Sequence, residues 1–258
     1  MQHLKGKVVV ITGGGSGMGR EAARLCSAAG ARVALLDVDE RGMSETLALG
    51  QRMHAYPVDI TDFEALRFVI DTIESGLGPI YRLYNAAAIM PLGRLLDQNN
   101  AVSKKIMDVN YGGLLNIAQA ALPAMVERGE GEFISFASMA GLIPTMLTGA
   151  YSASKAATAF LTEILYHENI DTGVKFVCVC PPTVDTPLLQ QGRDTEWPKM
   201  LESGDDPIKP IAVIEAIDQH LERGEFWVYV GKGGRTGPRM RRFFPNMIWK
   251  HNHKMEGF

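Results

Sequence analysis

Tyr151 and Lys155 stand four residues apart in Tyr151-Ser152-Ala153-Ser154-Lys155, at the start of a stretch with helical periodicity, so both side chains project from one helix face. A phenol beside an ammonium is a candidate proton acceptor. Free tyrosine ionises near ~10 and is a poor base at neutrality. Lowering that by about three units takes about 4 kcal/mol of preferential stabilisation of the phenolate, which an adjacent ammonium and a cationic cofactor ring can supply. Such a tyrosine takes the proton from a hydroxyl while hydride leaves its carbon. Ser138 ends a run with buried-strand character and can hydrogen-bond the same oxygen.

A second constellation lies near the N-terminus. Thr12-Gly13-Gly14-Gly15-Ser16-Gly17-Met18-Gly19 follows an apolar run and precedes a helix expected from near Arg20. Glycines let backbone approach a pyrophosphate, and the helix N-terminus behind them offers free N–H groups. The G-x-G-x-x-G spacing fails, because the sixth position from Gly13 is Met18; the pattern is T-G-x-x-x-G-x-G. Asp37 closes the next apolar run, about 20 residues on, where an acid accepts from both adenosine ribose hydroxyls and repels a 2′-phosphate. NAD rather than NADP is therefore expected. Arg20 and Arg41 are the arginines that could receive that phosphate, and both are expected to be solvated instead.

Positioning these groups requires strands that end beside one another. Short β-branched runs occur at Val8 to Thr12, Arg32 to Asp37, Glu132 to Ser138, Val174 to Cys180 and Phe226 to Val230, with weaker ones at Met53 to Val58 and Ile80 to Asn85. Unbroken apolar runs are the mark of parallel strands covered on both faces. Helical stretches separate them; Asp62 as N-cap before Ala65, Leu66, Val69, Ile70 and Ile73 is one. The alternation predicts an α/β fold with a Rossmann-like, doubly wound sheet of about seven parallel strands, with ligands beyond the strands' carboxyl ends. One domain over residues 1–258 is expected. Residues 186–209 read as a lid loop and 232–258 as a basic, aromatic tail.

Composition narrows the function classes. Of 258 residues, 46% are hydrophobic and 21% charged, which suits a globular domain. The net charge of −3 provides no basic field for duplex nucleic acid, so no nucleic-acid partner is expected. Three cysteines fit a reducing compartment rather than a disulfide framework, and no apolar run is long enough for a signal peptide or membrane span; a cytoplasmic protein is expected. No metal is expected. Cys178 and Cys180 are expected to face opposite sides of the sheet, and His251 and His253 to be solvated.

Taken in order along residues 5 to 231, the glycine loop, Asn85-Ala86-Ala87, Asn110, Ser138 and Tyr151 with Lys155 resemble the single-domain short-chain dehydrogenase/reductase family. The resemblance implies a catalytic tetrad of Asn110, Ser138, Tyr151 and Lys155, in which Asn110 holds a water that connects Lys155 to solvent and Lys155 also binds the nicotinamide ribose. It implies cofactor contacts from Gly13, Gly15, Ser16, Gly17, Met18 and Gly19, and from Asp37 and Val38. Asp59 and Ile60 would lie at the adenine, with Asn85, Ala86 and Ala87 beside them. Pro181, Thr183, Val184 and Thr186 would lie at the nicotinamide, along with Tyr151 and Lys155. Two positions depart from the family's pattern: Ala87 and Pro182 stand where glycine is usual.

The implied activity is that of an NAD-dependent alcohol dehydrogenase or ketone reductase. An enoyl reductase would need a wider tyrosine-to-lysine spacing, and a nucleotide-sensing protein without catalysis would be expected to have lost Ser138, Tyr151 or Lys155. The substrate is expected to be a mainly apolar secondary alcohol or ketone, bordered by Ser138, Met139, Met146, Leu188 and Trp197. Apolar residues at Ala156, Ala157, Phe160, Leu161, Ile164 and Leu165 are wider than one core-facing stripe needs, and with the resemblance they imply a homodimer or homotetramer. From Arg235 onward six basic residues meet one acid, with Phe243, Phe244, Met247, Ile248 and Trp249 interleaved. Packing on its own or a neighbouring subunit is the favoured reading of this tail, peripheral membrane contact the other, and Pro245 is expected to break any amphipathic helix there.

Overall fold

The computed structural model describes residues 1–202, 204–231 and 233–257; Ser203 of the expected lid and Lys232 and Phe258 of the expected tail lie outside the described residues. The strands are β1 (Val8–Thr12), β2 (Arg32–Asp37), β3 (Met53–Pro57), β4 (Ile80–Asn85), β5 (Gly131–Phe136), β6 (Val174–Cys180) and β7 (Trp227–Tyr229). They form one sheet in the order β3-β2-β1-β4-β5-β6-β7, and every neighbouring pair is parallel. This is the Rossmann-like, doubly wound α/β fold. The order reverses between β1 and β4, which opens a crevice at their carboxyl ends.

The first ten helices run between strands: α1 (Gly17–Ala28), α2 (Glu40–Leu47), α3 (Phe63–Gly76), α4 (Asn100–Met107), α5 (Gly113–Arg128), α6 (Met139–Leu142), α7 (Gly149–Glu168), α8 (Pro187–Arg193), α9 (Lys199–Glu202) and α10 (Pro210–Arg223). After β7 come α11 (Thr236–Phe243) and α12 (Pro245–Glu256). Alternate β1 residues feed two cores. Val9 and Ile11 pack with Ala22 and Cys26 of α1 and Ile214 and Ile217 of α10, whereas Val8 and Val10 pack with Leu66 and Ile70 of α3 and Leu114 and Ile117 of α5. All residues of β1 and β5 are buried, as a sheet covered on both faces demands. Asp62 caps α3 as expected, its carboxylate accepting from the Ala65 N–H at 3.1 Å.

Two expectations fail, each for a local reason. The stretch 186–209 is not simply loop: Thr186 caps α8, with Pro187 in the first turn where its missing N–H costs nothing, and α9 follows. Pro245 does interrupt the tail's helical run as expected: α11 ends at Phe243, Phe244 is non-helical, and Pro245 opens a separate helix, α12. Cys178 and Cys180 face the same side of β6, because strand side chains alternate with period two; both are buried in one cluster with Ala137 and Ala159. His251 and His253 are exposed while Asn252 between them is buried.

Sequence reading gave no hint of the group that braces the opposite end of the sheet. Arg82 of β4 is fully buried, donating to Glu132 of β5, to Asp218 of α10 at 2.7 Å and to the Tyr84 hydroxyl at 2.9 Å. Removing one member of a buried ionic cluster leaves the others uncompensated. Arg82→Ala is therefore expected to destabilise the fold by about 3–5 kcal/mol in urea unfolding. A change under about 1 kcal/mol would show that water replaces the guanidinium without penalty.

Candidate active site

Ser138 lies two residues beyond β5 and caps α6, accepting from the Ala140 N–H at 3.1 Å. Tyr151 and Lys155 rise from the first turns of α7 and are 7% and 4% exposed. The Lys155 ammonium donates to the Phe136 carbonyl at 2.7 Å and sits 5.9 Å from the centre of the Tyr151 ring. The spacing of four thus places both groups against the end of β5, beside Ser138.

Burial dominates their ionisation. It pushes the Tyr151 phenol up to about 12, partly opposed by its hydrogen bond with Ser138. It pulls the Lys155 ammonium down to about 8, with the Cys178 and Cys180 thiols opposing. With no cofactor bound, then, the chain holds a neutral phenol against a desolvated ammonium.

Asn110 sits in a π-helical turn, Asp108–Gly112, between α4 and α5, and is 1% exposed. Such turns recur at functional sites because the extra residue redirects a side chain out of the helical register. Here the amide accepts from the Ile89 N–H at 2.8 Å and donates to the Ile89 carbonyl at 3.0 Å and to Ser154 Oγ at 2.9 Å. It ties the segment after β4 to α7 between Tyr151 and Lys155.

The glycine loop is wound against the end of β4. Gly13 has φ +67°, and a Cβ there would stand 2.8 Å from the Ala87 nitrogen; a Cβ on Gly19 would meet the Gly13 carbonyl oxygen at 2.1 Å. The space is open only to a chain without side chains. Ser16 precedes α1 in extended conformation without a side-chain cap, and no acid lies in the first turn. Free N–H groups at an uncapped helix start, behind a bare backbone loop, fit a pyrophosphate. A dinucleotide cofactor therefore fits the residues present.

The remaining expected cofactor residues ring the same crevice. Asp37 accepts from Gly15 N at 2.9 Å and Asp39 N at 3.0 Å, while Val38 is 69% exposed. Asp59 accepts from the Thr61 N–H and hydroxyl, and Ile60 is buried beneath Gly113. Asn85 accepts from the Thr12 hydroxyl at 2.9 Å, and that hydroxyl accepts from Ala87 N at 3.2 Å. Thr186 lies against Gly17, where a Cβ would be 3.3 Å from its own. Arg20 is not solvated as expected: its guanidinium donates to Gly15 O, Gly42 O and Glu45. Arg41 is, and it reaches Glu45 at 3.4 Å.

Ser138, Tyr151 and Lys155 open into a cavity of about 370 Å³. Met18, Ala86, Pro181, Thr183, Val184 and Thr186 form its wall toward the dinucleotide crevice, and Pro182 lines it too. Met139, Leu188 and Trp197 line the other side as expected; Met146 does not. Leu147 adopts a left-handed conformation, φ +65°, and with the chain turned there Ile143, Thr145 and Thr148 face the cavity instead. Met90 and Leu92, after β4, also line it and were not expected; only their apolar character in a loop signalled them.

Residues 7–197 match the short chain dehydrogenase family. The chain is 36% identical over 201 residues to 2-(S)-hydroxypropyl-CoM dehydrogenase 3 of Xanthobacter autotrophicus, covering 75% of this chain and 78% of that one. It is 31% identical over 239 residues to epidermal retinol dehydrogenase 2 of Mus musculus, covering 90% and 76%. A crystal structure of a short chain dehydrogenase/reductase from Burkholderia phymatum in complex with NAD superposes with a TM-score of 0.85 at 25% identity, covering 96% of both chains. The chain belongs to the short-chain dehydrogenase/reductase family. It is an oxidoreductase of the kind that uses a nicotinamide dinucleotide.

The burial of Lys155 has a measurable cost. Its ordinary value is 10.5 and its folded value about 8, so between these the unfolded chain holds a proton that the folded chain has released. Stability from this residue therefore rises with pH across that window, and below about 8 the full penalty is present. Lys155→Met is expected to be about 2 kcal/mol more stable than wild type at pH 7. The gain should vanish as pH approaches 10.5. Thermal unfolding across pH checks this; a variant less stable than wild type at pH 7 would contradict it.

Proposed function

We propose that this chain transfers hydride between NAD(H) and a mainly apolar secondary alcohol or its ketone. The observation that carries the reading is the convergence of Ser138, Tyr151 and Lys155 at one end of a cavity whose other walls are largely apolar. The bound dinucleotide supplies or accepts the hydride. In oxidation Tyr151 takes the alcohol proton, and Ser138 hydrogen-bonds the reacting oxygen as it becomes a carbonyl. At neutral pH Lys155, with its value about 8, is still mainly protonated, and its charge favours the Tyr151 phenolate in a site shielded from water. Lys155 also holds the nicotinamide ribose, and Asn110 positions α7 and a water leading to solvent.

Asp37 supports NAD as the cofactor. Its carboxylate stands at the carboxyl end of β2 against Gly15, where a 2′-phosphate would meet negative charge, and Arg20 is already engaged by the loop. In this reading the glycine loop holds the pyrophosphate, Val38, Asp59 and Ile60 the adenine side, and Thr183 and Thr186 the nicotinamide side. The active form is a homodimer or homotetramer, a reading supported by Phe160 and Ile164 of α7, which are 69% and 45% exposed.

Tyr151→Phe is expected to lose all but a few per cent of turnover while binding NAD as wild type does, measured by nicotinamide absorbance and cofactor titration. Substantial residual turnover would remove Tyr151 from its role. Along a series of secondary alcohols, kcat/KM should rise with chain length by up to about 0.8 kcal/mol per methylene. A flat series with activity on polyols would refute the apolar substrate. Wild type should favour NAD over NADP by at least about tenfold in kcat/KM, about 1.4 kcal/mol, and Asp37→Ala should narrow the ratio. Equal use of both by wild type would overturn the cofactor assignment.

A further inference from the structure

The two C-terminal helices pack behind two short helices whose residues line the cavity, without lining it themselves. α11 packs on α6, where a Cβ on Gly237 would stand 2.5 Å from Ile143 and 3.6 Å from Met139. α12 packs on α9, and the Glu256 carboxylate accepts from the Met200 N–H at 2.9 Å. Ile143, Met139 and Met200 all line the cavity. Whatever holds this helical pair therefore also bears on residues that line the cavity.

The outer side of the same pair has a different composition. Met240, Phe243, Phe244 and Met247, at the end of α11, the break after it and the start of α12, are 42%, 70%, 61% and 47% exposed. They crowd the corner at Phe244-Pro245 where α11 gives way to α12. Arg239, Arg242, Lys250 and Lys254 are exposed around them, and among the described residues none of the four is in an ion pair. The segment from Arg235 carries +5 in a chain of net charge −3, so the basic charge is concentrated here. Large apolar groups ringed by unpaired cations suit a surface that is apolar beneath and anionic above. No helix among the described residues is long and apolar enough to cross a membrane, so the contact would be with one leaflet.

We propose that the α11–α12 corner seats on an anionic lipid surface and that the apolar alcohol or ketone reaches the cavity from that lipid. The second clause rests on the substrate reading above; the first does not. Phe243 and Phe244 enter the acyl boundary, the four cations meet lipid phosphates, and α6 and α9 stand between the bilayer and the reacting groups.

The test uses the full chain with vesicles of phosphatidylcholine alone or with about one part in three of phosphatidylglycerol. Sedimentation with vesicles should show binding to the anionic set at least ~tenfold tighter than to phosphatidylcholine, released by raising salt to ~0.5 M. Phe243→Ala with Phe244→Ala, and separately Arg239→Ala with Arg242→Ala, should each weaken binding by ~tenfold or more. Both should leave turnover of a short, water-soluble secondary alcohol unchanged and lower turnover of a long-chain one dissolved in anionic vesicles. Absence of binding to anionic vesicles would overturn the proposal. So would lipid-free dissociation of an oligomer by the phenylalanine variant, which would assign the corner to a second copy of the chain. Vesicle binding with no turnover of any alcohol would uphold the surface and defeat the substrate reading.

Discussion

One contact sets the relative positions of Ser138, Tyr151 and Lys155: the buried Lys155 ammonium against the Phe136 carbonyl at 2.7 Å. Phe136 ends β5, Ser138 follows two residues later, and Tyr151 stands one helical turn before Lys155. This charge-assisted hydrogen bond holds the end of β5, with Ser138 just beyond it, against the helix that carries the Tyr151 phenol. Such bonds contribute about 1.5–3 kcal/mol, which desolvation of the ammonium opposes. Asn110 supplies the second anchor, from Ile89 to Ser154, so α7 is held from two sides of the sheet's carboxyl edge. On the proposed reading this lysine is kept at a cost in stability because no apolar side chain would place a positive charge there.

The two ends of the sheet divide the work. At the amino ends the buried Arg82 guanidinium is bonded by Glu132, Asp218, Tyr84 and His3. At the carboxyl ends polar groups are left facing space: the uncapped start of α1, the Tyr151 phenol, the Ser138 hydroxyl. Thr186 joins the dinucleotide crevice to the substrate cavity, since it caps α8 above the cavity and lies against Gly17 below. A shift in α8 therefore reaches both.

Much of this was legible in the residues. β1, β2, β4 and β6 begin and end where their largely apolar runs do, as strands covered on both faces require. The tyrosine, lysine and serine meet as their spacing implied. What the sequence concealed depended on long-range contacts. Met90 and Leu92 reach the cavity only because Asn110 and the Gln191 and Thr195 side chains hold their loop over it. Met146 misses it because Leu147 turns the chain left-handed. α8 lay hidden within 186–209 because a proline suits a helix only in its first turn, where Pro187 stands, and that needs the helix start to be known. The burial of Arg82 depends on Glu132 and Asp218 from distant segments, which no local pattern announces.

The account turns on a phenol that burial alone would keep neutral to about 12 and that must act as a base near neutrality. The pH dependence of kcat/KM for oxidation of a secondary alcohol with NAD tests this most directly. The account predicts an ascending limb with an apparent pKa near ~7, about three units below free tyrosine, absent from the residual rate of Tyr151→Phe. A limb at ~10 or above, or the same limb in the phenylalanine variant, would contradict it.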